Sequence, residues 1–198
     1  MTAARQAFTR ESADARRADL IEATAAVLAE QGLAGTNVRA ICAKAGVSPG
    51  LLRHYFDGIN DLVAATYAAT SDRMDAIFAA AVTGAGPDPR ARLMAYLTAS
   101  FRPPVTDPEL LGAWTAFWAL ARSDARMAAI HATSYAGYRA RLGELLDACG
   151  AADAGRLAIM LTAMVDGLWL ELSLDAESFG AEAAVQMVER AVEALLSA

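Results

Sequence analysis

Along most of the chain apolar residues recur every three or four positions, with Gly, Pro and Asp falling between the runs. The two-residue alternation of β-branched and aromatic residues that marks strands is nearly absent. The pattern predicts an all-α protein of about nine helices. Residues 1–9 are small and polar and read as a disordered N-terminal arm. A first helix is predicted over about residues 10–31, with Leu20, Ile21, Thr24, Val27 and Leu28 on its apolar side and Gly32 as its stop. Thr36 is a natural N-cap for a short second helix, "NVRAICAKA", whose inward stripe is Val38, Ile41, Cys42 and Ala45 and which ends at Gly46. Ser48 can cap a third helix with Pro49 at its first position, running to about residue 55. A fourth helix starts near residue 60 or 61 and reaches the glycines at 84 and 86. Further helices follow over about residues 88–101, 109–121, 123–148, 152–174 and 180–197, with "RPPVTDP" and "CGAADAG" as breaks. No repeat or low-complexity linker intervenes, so a small front unit (10–58) is expected to pack directly on a larger rear one (59–198).

Two short helices joined by a glycine-containing turn form a helix-turn-helix, whose second helix lies in the DNA major groove. In the third helix Leu52 and Phe56 can face the core with Ile41 and Val47, leaving Gly50, Arg53 and His54 outward, next to Pro49 at the helix start. Arg53 can reach guanine O6 and N7 or a phosphate, or stand as a solvated arginine. His54 can donate to a base or phosphate, or simply pack. Thr36, Ser48 and Tyr55 offer hydroxyls and Arg39 and Lys44 offer cations to phosphates, although capping alone also accounts for Thr36 and Ser48.

Charge qualifies this picture. The chain carries −6 overall, but residues 1–60 hold seven Arg or Lys against six acids, a net of +1, so −7 belongs to residues 61–198. A near-neutral reading head binds DNA weakly as one copy, and a dimer presenting two would read both halves of a palindrome. Hydrophobic content of 56% over 198 residues supplies a large core. Cys42 and Cys149 have no metal-knuckle or redox spacing and read as buried thiols of a reducing cytoplasm. The N-terminal stretch lacks an apolar signal-peptide core, and the most apolar run, "LAIMLTAMVDGLWLEL", is interrupted by Asp166 and Glu171, so no membrane span is expected.

The stretch "LIEATAAVLAEQGLAGTNVRAICAKAGVSPGLLRHYFDGINDLVAAT", roughly 47 positions, resembles the DNA-binding region of the TetR family of transcriptional regulators. Gly32, Thr36, "AGVS", Gly50 and "HYF" carry that likeness. In the rear unit "LLGAWTAFWALAR" and "MVDGLWLELSL" are similar to the choline-responsive BetI-type repressors. The resemblance implies a helix-turn-helix domain over 10–58 and a ligand-binding and dimerisation domain over 59–198. It further implies a homodimer joined through the last two helices (about 152–174 and 180–197), a double-stranded DNA operator as partner, and repression relieved by a small-molecule effector, for which it suggests choline-like cations. The chain departs from the family at Ile59, where many members place a phosphate-gripping lysine, and at Leu51 and Arg53, where threonine and tyrosine are common, so the operator cannot be borrowed from relatives.

The rear unit holds the candidate pocket. Trp114, Phe117 and Trp118 share one helical face, Asp166 precedes Trp169 by one turn, and Phe101, His131, Tyr135 and Tyr138 add aromatic or polar tips. Aromatic rings with a carboxylate suit a quaternary ammonium, and such stripes are also ordinary core. An ionised Asp166 in an apolar helix needs a partner: a bound cation, an arginine such as Arg122, or a backbone or hydroxyl donor across a dimer interface. With two histidines, no nucleophile beside either, no metal-spaced cluster and no phosphate loop, neither catalysis nor a cofactor is expected. The competing reading is a helical adaptor that has lost DNA binding.

Overall fold

The computed structural model describes residues 2–175, 177 and 179–197, with side chains from residue 13 onward. Among the described residues there are nine α-helices and no strand. They are α1 (Thr2–Gly35), α2 (Val38–Ala45), α3 (Pro49–Tyr55), α4 (Ile59–Gly84), α5 (Pro89–Thr98), α6 (Pro108–Ala121), α7 (Ala125–Ala148), α8 (Ala154–Leu174) and α9 (Ala181–Leu196), with a 3-10 turn at Ala99–Phe101.

Most starts and stops follow the expected residues, with three instructive shifts. Helical backbone begins at Thr2 rather than near residue 10, so residues 2–9, expected as a disordered arm, are helical, while Met1 and the side chains of residues 2–12 lie outside the described residues. Gly32 does break the first helix, at φ 62°, a left-handed conformation that costs glycine least, although helical backbone resumes to Gly35. The N-cap of α2 is Asn37 and not Thr36: the Asn37 Oδ1 accepts from the Ala40 N–H at 3.0 Å. The Thr36 hydroxyl instead donates back to the Gly32 carbonyl at 2.7 Å, stitching the broken end of α1. Two adjacent capping-type residues competed, and the extended backbone of Asn37 won the position. Later boundaries move by one or two residues, because Asp88, Asp124 and Asp153 each cap a helix that starts just after them.

The apolar stripes converge on two cores. The smaller joins Leu20, Val27, Ile41, Cys42, Leu52 and Phe56 with Leu62 of α4. The larger fills the space between α4 and the later helices, and Leu28 of α1 belongs to it. Ile59, at the start of α4, packs against both, an apolar spacer between the cores. The helix α4 is therefore shared, with Leu62 in one core and Val63, Ala64 and Tyr67 in the other. Its first turn is tied to the first turn of α7 by Arg126 Nη2 donating to Asp61 Oδ1 at 2.7 Å, which with the Asp57 amide, and against the opposing effect of burial, leaves the Asp61 carboxyl below its usual range.

A second junction joins the units directly. Gly112 of α6 meets α1 so closely that a Cβ on it would stand 2.9 Å from the Ala29 Cα and 3.1 Å from the Ala29 carbonyl oxygen. Only a residue without a side chain permits that approach.

One surface is unusually apolar. Of the six large hydrophobic residues left exposed among those described, Ile159, Met160, Leu170 and Leu174 lie on α8 and Met187 on α9. This outward face gives α8 a mean hydropathy of 1.6 over its most apolar window, enough by length and composition alone to cross a membrane. The helix nonetheless packs on α7 and α9 and carries Arg156, Asp166 and Glu171.

Candidate functional site

The reading head is assembled by α2 and α3. Ser48 Oγ accepts from the Leu51 N–H at 3.3 Å, Pro49 occupies the first turn, and Gly46 closes α2 at φ 65°. Leu52 and Phe56 are buried as expected, with Val47 packed at the edge of the same core. Arg39, Lys44, Ser48, Pro49, Gly50, Arg53 and His54 are exposed, while Thr36 and Tyr55 are half-buried. A Cβ on Gly50 would meet only the Ser48 Oγ, at 3.8 Å, so nothing inside the fold requires glycine there, and the small outward surface is free for a close-approaching partner. His54 meets Tyr55 edge to face at 5.0 Å, and Arg17 of α1 lies 5.0 Å over the Phe56 ring, bracing the head from behind. Lys44 differs from the rest: its ammonium donates to Glu30 of α1, and that bond pushes its pKa up. A phosphate would have to compete with Glu30 for it.

The second site lies in the rear unit, among α4, α6, α7 and α8. A cavity of about 50 Å³ is lined by Trp114, Trp118, Tyr135, Tyr138, Asp166 and Trp169, all expected from the sequence. Phe101 and Phe117 do not line it. Phe117 is fully buried and stacks on Tyr67 at 4.4 Å, supporting the wall from behind, and Phe101 is buried in the 3-10 turn. The cavity also holds Met74, Asp75 and Phe78 of α4, with Ser100, Ser134 and Val165, which the sequence reading missed. A signal for them existed: Ser71, Met74, Asp75 and Phe78 fall at i+4, i+7, i+8 and i+11 from Tyr67, one face of a helix.

A chain of hydrogen bonds fixes the carboxylate. Trp118 Nε1 donates to the Tyr135 hydroxyl at 3.0 Å, and that hydroxyl donates to Asp166 Oδ1 at 3.1 Å. Among the described residues no Lys or Arg forms an ion pair with Asp166. The donor present is a hydroxyl of the same chain, which was not among the expected alternatives, and Arg122 lines only the adjoining groove. Burial pushes the Asp166 carboxyl up to about 6, against the opposing pull of the Tyr135 hydrogen bond and the charge of Arg139. The same burial raises Tyr135 and Tyr138, with Asp166 adding to both. His131, placed with the aromatic tips by its spacing, accepts or shares a proton with the Tyr67 hydroxyl at 2.9 Å, and burial holds its pKa down. Two polar atoms of the lining are buried without a hydrogen-bond partner, Trp169 Nε1 and the Tyr138 hydroxyl, the latter with Ser100 close enough to perturb it. Such groups are costly to bury unsatisfied, and here both border a cavity.

Comparison with known proteins agrees with both halves. Residues 20–66 match the family model of bacterial regulatory proteins of the tetR family, and residues 89–197 match that of the BetI-type transcriptional repressor C-terminal domain. The chain is 31% identical to the HTH-type transcriptional regulator BetI of Paraburkholderia xenovorans, over 92% of this chain and 94% of the relative. It is 34% identical to that of Rhizobium meliloti, over 92% and 90%. Among solved structures, a transcriptional regulator from Pseudomonas aeruginosa superposes with a TM-score of 0.83 at 41% identity, covering 93% of this chain and 91% of that one. A regulator from Saccharomonospora viridis in complex with choline shares the fold, with a TM-score of 0.81 at 16% identity over 89% and 95%. The reading head, the aromatic cavity behind it and these matches agree: the chain belongs to the TetR family of transcriptional regulators and carries a BetI-type repressor C-terminal domain.

Proposed function

We propose that the protein is a cytoplasmic repressor that binds a palindromic DNA operator as a homodimer and is released by a small organic cation held in the cavity of its C-terminal domain. The observation that carries the reading is Asp166: a carboxylate among Trp114, Trp118, Tyr135 and Trp169 whose hydrogen-bond partner is a neutral hydroxyl. Ring faces attract a cation, and the carboxylate supplies the counter-charge that the fold itself leaves out. The choline complex of the S. viridis regulator, which has the same fold, supports a ligand of that chemistry. The exposed apolar face of α8 and α9 supports dimerisation through those two helices.

In this reading Arg53 and His54 face base edges, while Arg39, Ser48, Tyr55, Thr36 and the start of α3 at Pro49 and Gly50 meet the backbone. With Ile59 in place of a lysine and Lys44 held by Glu30, phosphate contact rests on fewer cations, and salt dependence should be correspondingly shallow. Ligand bound between α4 and α7 shifts α4, and the two reading heads leave groove register. A mobility-shift assay on the DNA upstream of the protein's own gene tests this. A retarded band at low salt that choline or tetramethylammonium dissolves, and that Asp166→Ala renders insensitive to the cation, is the expected result. Absence of any band rejects the local operator, and a band unaffected by either cation rejects the effector.

A further inference from the structure

Two grooves on either flank of α7 share lining residues with the cavity, and they differ in charge. On one side a groove is lined by Trp118, Arg122, His131, Arg139 and Asp166. On the other, a groove between α4 and α7 is lined by Ser71, Asp72, Asp75 and Ser134 among others. The two grooves share no lining residue, yet each shares residues with the cavity: Trp118, Tyr135 and Asp166 on the first side, Asp75 and Ser134 on the second. Asp166 of α8 and Asp75 of α4 are therefore two carboxylates from different helices lining one aromatic cavity, each shared with a different groove.

Among the described residues neither carboxylate forms an ion pair, and Asp166 is held by the neutral Tyr135 hydroxyl. Burial together with the neighbouring Asp72 holds the Asp75 pKa up. Independently, Ser71, only 5% exposed, has an Oγ with no hydrogen-bond partner and lines the same groove as Asp72 and Asp75. A buried orphan hydroxyl beside two like charges is the arrangement that an amine, with several N–H donors, would satisfy. The arginines in the other groove disfavour cation passage there, which leaves the acidic groove as the approach.

We infer that the ligand is two-headed: an organic dication of the α,ω-diamine or polyamine class, one end on Asp166, the other on Asp75, its apolar linker along the aromatic walls. This rests on the cationic reading above and narrows it from a single ammonium group to a pair at fixed separation.

Isothermal titration calorimetry of the full-length protein with α,ω-diaminoalkanes and n-alkylamines of matched chain length distinguishes the two. At its best length the diamine should bind at least about tenfold more tightly than the matched monoamine. Asp75→Asn should abolish that advantage, bringing the diamine down to the affinity of the matched monoamine for the same variant. Asp75→Glu keeps the charge and should preserve the preference with the optimum at a shorter linker, which also guards against a variant that fails to fold. Equal affinity of matched diamine and monoamine, or an advantage that survives Asp75→Asn, overturns the two-headed ligand and leaves the single-cation effector standing. If no diamine, monoamine, choline or tetramethylammonium binds, the cationic reading itself fails and this inference falls with it.

Discussion

Asp166 shows how one residue can couple ligand, proton and stability. Its folded pKa of about 6 lies above the ordinary 3.8, so as pH rises the unfolded chain ionises first. The contribution of this group to stability is then fully present below 3.8 and is lost as pH rises through about 6. Thermal unfolding of the ligand-free protein should show this as a falling Tm across that window, and Asp166→Asn should flatten that part of the curve. A cation needs the ionised carboxylate, so its affinity should run the other way, weakening towards about tenfold per pH unit once the pH is below the folded pKa. Titrating a quaternary ammonium at several pH values checks the sign: affinity that is flat across this window would separate the ligand from Asp166. Residue identity told much of this in advance, since an acid one turn from a tryptophan in an apolar helix raised the question of its partner. That the partner is Tyr135, itself anchored by Trp118, depends on how α6, α7 and α8 meet, which no spacing within one helix encodes.

At the level of elements, punctuation was the most legible signal. Gly32, Gly46 and Ser48 mark the ends of helices where they were expected, because left-handed backbone and side-chain caps are local needs. Thr36 and Asn37 mark the limit of such reasoning: both are capping residues, and the choice depends on how α1 ends, through the Thr36 bond to Gly32. The two positions therefore make a sharp comparison. Asn37→Ala should cost about 1 kcal/mol and lower Tm by a few degrees, whereas Thr36→Ser, which keeps the hydroxyl, should change little. Chemical denaturation of the two variants reads the difference, and equal losses would place the cap elsewhere. The α4 contribution to the cavity was the harder part, because Met74, Asp75 and Phe78 look like any amphipathic stretch until α7 is laid across them.

For the whole molecule, the exposed apolar face of α8 and α9 and the near-neutral reading head belong to one argument: a head with few free cations gains affinity by being presented twice. Leu174, 74% exposed at the end of α8, contributes little to the fold of one chain. Leu174→Glu should therefore leave Tm near that of the wild type at high dilution, shift sedimentation from dimer towards monomer, and weaken operator binding. An unchanged sedimentation coefficient would move the dimer contact off this face. The last consequence comes from Gly112. Because its backbone rests on that of Ala29 with no side chain between them, α6 and α1 behave as gears in mesh, without the slack that two side chains would provide. The helix that carries Trp114 and Trp118 along the cavity thus bears directly on the helix that carries the reading head, in parallel with α4. Gly112→Ala would wedge the teeth apart, since backbone rather than a yielding side chain stands in the way. The expected variant binds its effector normally yet holds the operator weakly even without it, a permanently induced repressor, and calorimetry beside a mobility shift would show whether those two properties come apart.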